Sequence, residues 1–172
     1  MKKKIRTTII ILLSVLCALL SFLTIYSFTA NNMPYKASRI LSISYTEPTY
    51  NYSKTEIRKK LNSITGVSWY IYRDKNLKSE ISGQTNLIFR TIEVSPYLTQ
   101  SEYIEVMCHE LMHLKYHTRN ERFTQYQTFV TLYNSEFKDV ALNIAYNMQY
   151  GDYPYEYDCT AQIVDFLEKQ PI

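Results

Sequence analysis

Cysteine, histidine and glycine are all scarce in this chain of 172 residues, at three of each. Cys17 lies in an apolar run near the N-terminus, and neither Cys108 nor Cys159 belongs to a C-x-x-C pair, which excludes a dithiol or multi-cysteine metal motif. Two states stay open for Cys108 and Cys159: a disulfide formed in an oxidising exterior, or two buried free thiols. The glycines fall at breaks between predicted elements, and no internal repeat or low-complexity segment occurs. Basic excess is lacking too. The formal charge is +3, but Lys2, Lys3, Lys4 and Arg6 supply four of the nineteen basic groups, leaving fifteen against sixteen acids. A domain without net positive charge does not present the basic face that a nucleic-acid partner requires.

Between Arg6 and Lys36 there is no charged residue at all, and Ile9 to Tyr26 is apolar apart from Ser14, Ser21 and Thr24. The run exceeds the roughly 7–15 residues of a signal-peptide core and reaches the ~18 needed to span a bilayer. The small residues of a cleavage site are missing, with Phe28 standing before Thr29 and Ala30. Residues 1–30 are therefore read as an uncleaved signal anchor, with a cleaved signal peptide as the alternative. The flanking lysines place the N-terminus inside and the remainder outside the cell membrane. Residues 31–52 form a stem and a first strand near 39–45. Residues 53–172 form one domain, since about 142 residues beyond the anchor suffice for a single core.

What the chain does have is concentrated. His109, His113 and His117 fall within nine residues, and His109-Glu110-Leu111-Met112-His113 fits H-E-x-x-H. Four residues apart on a helix, two imidazoles share one face and can hold one ion, while the adjacent glutamate reaches a water activated there. The context is helical: Thr99 or Ser101 can cap, Glu102 and Glu105 favour the first turn, and Ile104, Cys108 and Leu111 form an apolar stripe. A catalytic zinc requires a third protein ligand. His117 is unsuitable, because eight residues along a helix separate it from His109 by about 12 Å. Arg119 and Tyr116 stand where metzincins carry the third histidine and the glycine.

The rest of the chain predicts an α+β domain. Ser53 and Glu56 form a capping box ahead of a helix over 54–63 that stops near Gly66. Residues 67–73 read as a strand with Trp69 and Ile71 on one face and Tyr70 and Tyr72 on the other. Residues 74–85 read as a loop or weak strand, and 86–94 as a better strand closed by Pro96. If that last strand is an exposed edge beside the metal cleft, it can receive an extended peptide; if internal, it merely covers the core. Helices are expected over 123–133 and 139–149, and a last one from Pro154 to about Lys169. Most of the seventeen tyrosines serve packing.

The segment Glu156-Tyr157-Asp158-Cys159-Thr160-Ala161 resembles the E-A-(D/N)-x-F-A segment of ImmA/IrrE-type peptidases, with Glu156, Asp158 and Ala161 matching. With H-E-x-x-H it is similar to the gluzincin arrangement, although Thr160 stands where thermolysin-like gluzincins carry an aspartate. The resemblance implies a zincin-like fold, a small antiparallel or mixed sheet packed on a helix bundle. It implies Zn2+ held by His109, His113 and Glu156, with Asp158 supporting or replacing Glu156. Glu110 is then the general base of a zinc metallopeptidase acting on peptide or protein. A tyrosine, Tyr153, Tyr155 or Tyr157, would stabilise the oxyanion. The alternative is a catalytically inactive zincin-like or tyrosine-rich surface binding protein.

Overall fold

The computed structural model describes residues 48–78, 81–151 and 153–170. The expected anchor over 1–30 and strand over 39–45 lie outside the described residues. Among the described residues, no helix is long and apolar enough to cross a membrane.

Helix α1 (Lys54–Thr65) begins at the expected capping box, with Ser53 accepting from the Glu56 N–H. It ends at Gly66, whose φ of 74° is the left-handed conformation glycine adopts without penalty. Strand β1 (Ile71–Asp74), strand β2 (Gly83–Asn86) and strand β3 (Thr91–Val94) follow. They form a mixed sheet of order β1-β3-β2, with β3 parallel to β1 and antiparallel to β2. Helices α2 (Gln100–Tyr116), α3 (Glu121–Tyr133) and α4 (Lys138–Gln149), a 3-10 turn at Tyr155–Tyr157, and α5 (Thr160–Glu168) complete an α+β fold with five helices among the described residues.

Two expectations, one in the sheet and one in the last helix, are corrected. The single strand predicted over 86–94 is broken at 87–90 by the turn between β2 and β3, because the Asn86 side chain accepts the N–H groups of Ile88 and Phe89. As a result β3 is the central strand, and the edge beside the helices is β2. The final helix is also shorter than expected. Asp158 accepts from the backbone N–H and hydroxyl of Thr160, so the helix starts there, and Pro154 precedes a 3-10 turn instead.

Helix α2 is the spine of the core. Thr99 and Glu102 cap each other's backbone groups at its start, so Thr99 and not Ser101 is the cap. From Met107 to Leu114 every residue is buried, because α1, α3, α4 and the inner face of the sheet pack around it. Ile92 and Val94 of β3 meet Ile104, Met107 and Leu111, all fully buried. Each such side chain contributes about 1.5–3 kcal/mol relative to exposure. Cys108 and Cys159 are buried and unbonded, which settles the disulfide question in favour of free thiols.

Candidate metal centre

Burial through the middle of α2 creates a chemical problem, since His109, Glu110 and His113 are only 5–7% exposed. Polar groups withdrawn from water need partners, and α3 provides them. Helix α2 ends at His117, which takes a left-handed φ of 49° and leaves its N–H bonded to the His113 carbonyl. A short turn then reaches Asn120, which caps α3 by accepting from the Phe123 N–H. This return lays the first turns of α3 against the second half of α2. Glu121, Thr124 and Gln125 thereby face the two histidines.

Each imidazole is fixed through its Nδ1. His113 Nδ1 lies 2.8 Å from the Thr118 carbonyl oxygen, which can only accept, so that nitrogen carries the proton. His109 Nδ1 lies 2.7 Å from Gln125 Oε1. The Gln125 amide is oriented in turn by donating its N–H to Glu105 Oε1 at 2.9 Å, and Tyr153 donates its hydroxyl to the same oxygen. Both rings therefore turn their Nε2 lone pairs inward.

The three inward atoms form a nearly equilateral triangle. His109 Nε2 and His113 Nε2 are 3.0 Å apart, and Glu121 Oε2 is 2.9 Å from the first and 3.2 Å from the second. With both Nδ1 positions protonated, three electron pairs converge on one point, and either a proton or a shared cation must sit among them. Tetrahedral zinc ligands at about 2.0–2.1 Å lie about 3.3–3.4 Å from one another, close to these separations. Two imidazoles and a carboxylate are also a donor set that suits zinc. The residues present fit the metal.

The sequence-predicted residues are only partly brought together. His109, Glu110 and His113 meet as expected, but the carboxylate that completes the group of possible ligands is Glu121. Glu156 is exposed on the 3-10 turn and lies outside that group, and Asp158 is occupied in opening α5. His117 is exposed at the end of α2. Glu121 is the functional residue that sequence reasoning misses, since it lies just ahead of the helix expected over 123–133. The available signal was the spacing of Glu121, Thr124, Gln125 and Thr128, a polar stripe at helical period on a helix whose core face should be apolar.

Electrostatics follow from this packing. Burial alone would raise the Glu121 carboxyl, but hydrogen bonds and charge from His109 and His113 bring it down to about 2. Burial disfavours charge on His113, and Glu121, the Thr118 carbonyl and Glu110 outweigh it, so its pKa is raised. Burial raises the carboxyls of Glu110 and Glu105, against the opposing pull of the neighbouring histidines and hydrogen-bond donors.

These shifts set a pH dependence for the metal-free chain. The contribution of Glu121 is present above its unfolded value of 4.5 and is lost as pH falls towards about 2. That of His113 is full below 6.5 and is lost as pH rises through its elevated folded value. Glu110 and Glu105 also favour the acid side, because their raised folded values penalise ionisation. Metal binding displaces the imidazole proton, so it strengthens with pH. The Tm gap between zinc-loaded and chelator-treated protein should therefore widen from about pH 5 to pH 8. A constant or narrowing gap in thermal scans would contradict this arrangement.

Beside the triangle, the Glu110 carboxylate packs against the backbone of β2. A Cβ placed on Gly83 would lie 2.5 Å from Val106 Cγ1 and 3.0 Å from Glu110 Oε1, so glycine is what permits this approach. The Thr85 hydroxyl donates to the Glu110 carbonyl and holds β2 to α2. Gly83→Val should push β2 away at a cost of about 1–3 kcal/mol. The expected readouts are a lower Tm and a loss of any hydrolytic activity, with metal content unchanged.

Gly83, Glu105, Val106, His109, Glu110 and Tyr157 line one cleft. Tyr157 tilts over the His109 ring at 5.6 Å between centroids. Burial, with the charges of Glu121, Glu110 and Glu156, pushes its hydroxyl up to about 12, so it remains a donor at neutral pH.

No curated protein and no solved structure matches the chain. The family model of the IrrE N-terminal-like domain, peptidase M78, does match, over residues 69–161. That span holds the sheet, α2, the His109–His113–Glu121 triangle and the 3-10 turn, and it covers more than half of the chain. The chain thus belongs to the M78 peptidase family, characterised by the IrrE N-terminal-like domain.

Proposed function

We propose that this chain is a zinc metallopeptidase of zincin-like fold, in which His109, His113 and Glu121 hold the ion and Glu110 is the general base. The observation that carries the reading is the triangle of two inward Nε2 atoms and one carboxylate oxygen, with separations of 2.9–3.2 Å. An ion there supplies Lewis acidity, which acidifies a water molecule and polarises a substrate carbonyl. Glu110, its affinity for protons raised by burial, takes the proton of the attacking water and delivers it to the departing amine. Among the described residues no strand pairs with the outer edge of β2, whose Gly83 lines the cleft, so an extended peptide can add there as a further strand.

Among the three tyrosines near the site, Tyr157 is the donor suited to the developing oxyanion. Tyr153 is engaged with Glu105, and Tyr155 is 67% exposed with its ring under Arg122. Tyr157→Phe should lower kcat by about 100-fold or more while leaving KM and zinc content nearly unchanged. A parallel rise in KM would make Tyr157 a substrate contact instead. The reading that the cleft is only a binding surface is disfavoured because the histidine face carries a carboxylate, not an apolar side chain, in position to ligate.

Residues 9–26 are proposed to hold the domain at the outer face of a membrane, on the strength of their uncharged, largely apolar character and the preceding lysines. The test of the enzymatic reading uses the full chain purified in detergent. Near-stoichiometric zinc, peptide cleavage abolished by chelation and cleavage restored by zinc support it. Metal-free protein that cleaves as well as the loaded form overturns it.

A further inference from the structure

The sheet has a second face. The side chains of Ile71 and Arg73, Thr91 and Glu93, and Gln84 and Asn86 point away from α2, as the register of the three strands requires. No described element packs on that face, and its apolar groups are unusually open: Trp69 is 67% exposed, Ile71 46%, Ile88 80% and Phe89 68%. Ile88 and Phe89 occupy the tip of the β2–β3 turn, where a turn facing water carries glycine, asparagine, aspartate or serine. Among the described residues nothing buries these two large apolar side chains.

The surroundings are basic. Arg90, at the end of the turn with a left-handed φ of 48°, donates from Nε to the Trp69 carbonyl at 3.0 Å. Its guanidinium lies over the Trp69 ring, 5.4 Å from the centroid, so the two are held as a unit. Arg73 and Arg119 line a groove on this face together with Ile71, Ile88 and Phe89. Glu93, the acid on this face, is matched by Lys75 at 2.7 Å and Arg73 at 3.9 Å. A tryptophan, two projecting apolar side chains and an excess of basic groups, Arg73, Lys75, Arg90 and Arg119 against Glu93, form the combination that settles at the headgroup level of a bilayer, with the arginines on lipid phosphates. Residues 9–26 supply an independent reason for a bilayer to be near.

We infer that the outer sheet face, led by Trp69, Ile88, Phe89 and Arg90, docks onto the surface of an anionic membrane. Docking there fixes the orientation of the domain and turns the β2 edge, on the same hairpin, towards polypeptide emerging at or lying along that surface. The inference uses the proposed tether only as the source of proximity and is independent of hydrolysis.

The test exploits the fact that Trp69 is the only tryptophan of the chain. Full-length protein is reconstituted with phosphatidylcholine vesicles, with or without phosphatidylglycerol, and Trp69 emission is followed with brominated lipids and with iodide. Expected results are quenching by brominated lipid, protection from iodide, and strengthening of both by phosphatidylglycerol. The double variant Ile88→Ser, Phe89→Ser should lose at least half of the lipid quenching while keeping its zinc content and far-UV spectrum. Open access to iodide without lipid quenching overturns the proposal. Protection from both quenchers also overturns it, and indicates a protein, such as a second copy, on this face. Flotation after a salt wash reads the tether separately: flotation without quenching removes the docking face alone, and quenching without flotation removes the tether alone.

Discussion

Glu121→Gln should lower the zinc affinity of the purified chain by about 100-fold or more, whereas Glu156→Gln should leave it within about twofold. Loss of an outer partner of a metal ligand already costs 10–100-fold, so removal of a ligating carboxylate should cost at least as much. The separation between the two variants follows from position. The oxygen of Glu121 is 2.9 and 3.2 Å from the two Nε2 atoms, while Glu156 is exposed on the 3-10 turn. Glutamine retains the shape of glutamate and the start of α3, which Asn120 caps independently, so the fold should survive. Zinc competition with a chromogenic chelator measures both affinities. The reverse result, weak binding in Glu156→Gln and normal binding in Glu121→Gln, would return the third ligand to the segment after Pro154. In the metal-free chain Glu121→Gln should also return the pKa of His113 towards its ordinary value, since the carboxylate is the principal group raising it.

The place of Glu121 illustrates what this sequence discloses and what it withholds. His109, Glu110 and His113 were legible because one helix fixes their relation, and that helix is signalled locally by Thr99 and Glu102. Helix α1 was legible for the same reason, from Ser53, Glu56 and Gly66. Glu121 belongs to the next helix, and its approach depends on a turn through His117 in a left-handed conformation that a histidine does not advertise. The resemblance of 156–161 to a known segment then supplied a more obvious carboxylate. In the sheet, alternation continued smoothly through Leu87 to Thr91, where there is no glycine or proline to mark a turn. The hairpin depends instead on a single side chain, that of Asn86. The hairpin and the approach of Glu121 escape the sequence for one reason: periodicity reports which way a side chain points, while the connection that reverses the chain rests on one or two hydrogen bonds.

Glu110→Gln should abolish peptide cleavage, with kcat lower by about 10²–10⁴-fold, and leave zinc binding intact. Glu110 is one residue from His109 and is absent from the group of three possible ligands. Its carboxylate is held between Gly83 of β2 and the triangle, and an amide of the same size fits that space. Glutamine cannot accept the proton of the attacking water as a carboxylate does, so the loss falls on the chemical step, with KM little changed. The pH profile adds an independent readout. Burial raises the Glu110 pKa above 4.5 in the metal-free chain, and the acid limb of kcat/KM in the wild type should reflect a group of this kind. In Glu110→Gln any residual rate should lose that limb. A variant that cleaves at the wild-type rate would remove the general base from the mechanism. A variant that loses both zinc and activity would show that Glu110 holds the metal and does not serve the water. Only retained zinc together with lost cleavage separates a carboxylate that moves protons from one that binds the ion, and that separation is what the contact with Gly83 predicts.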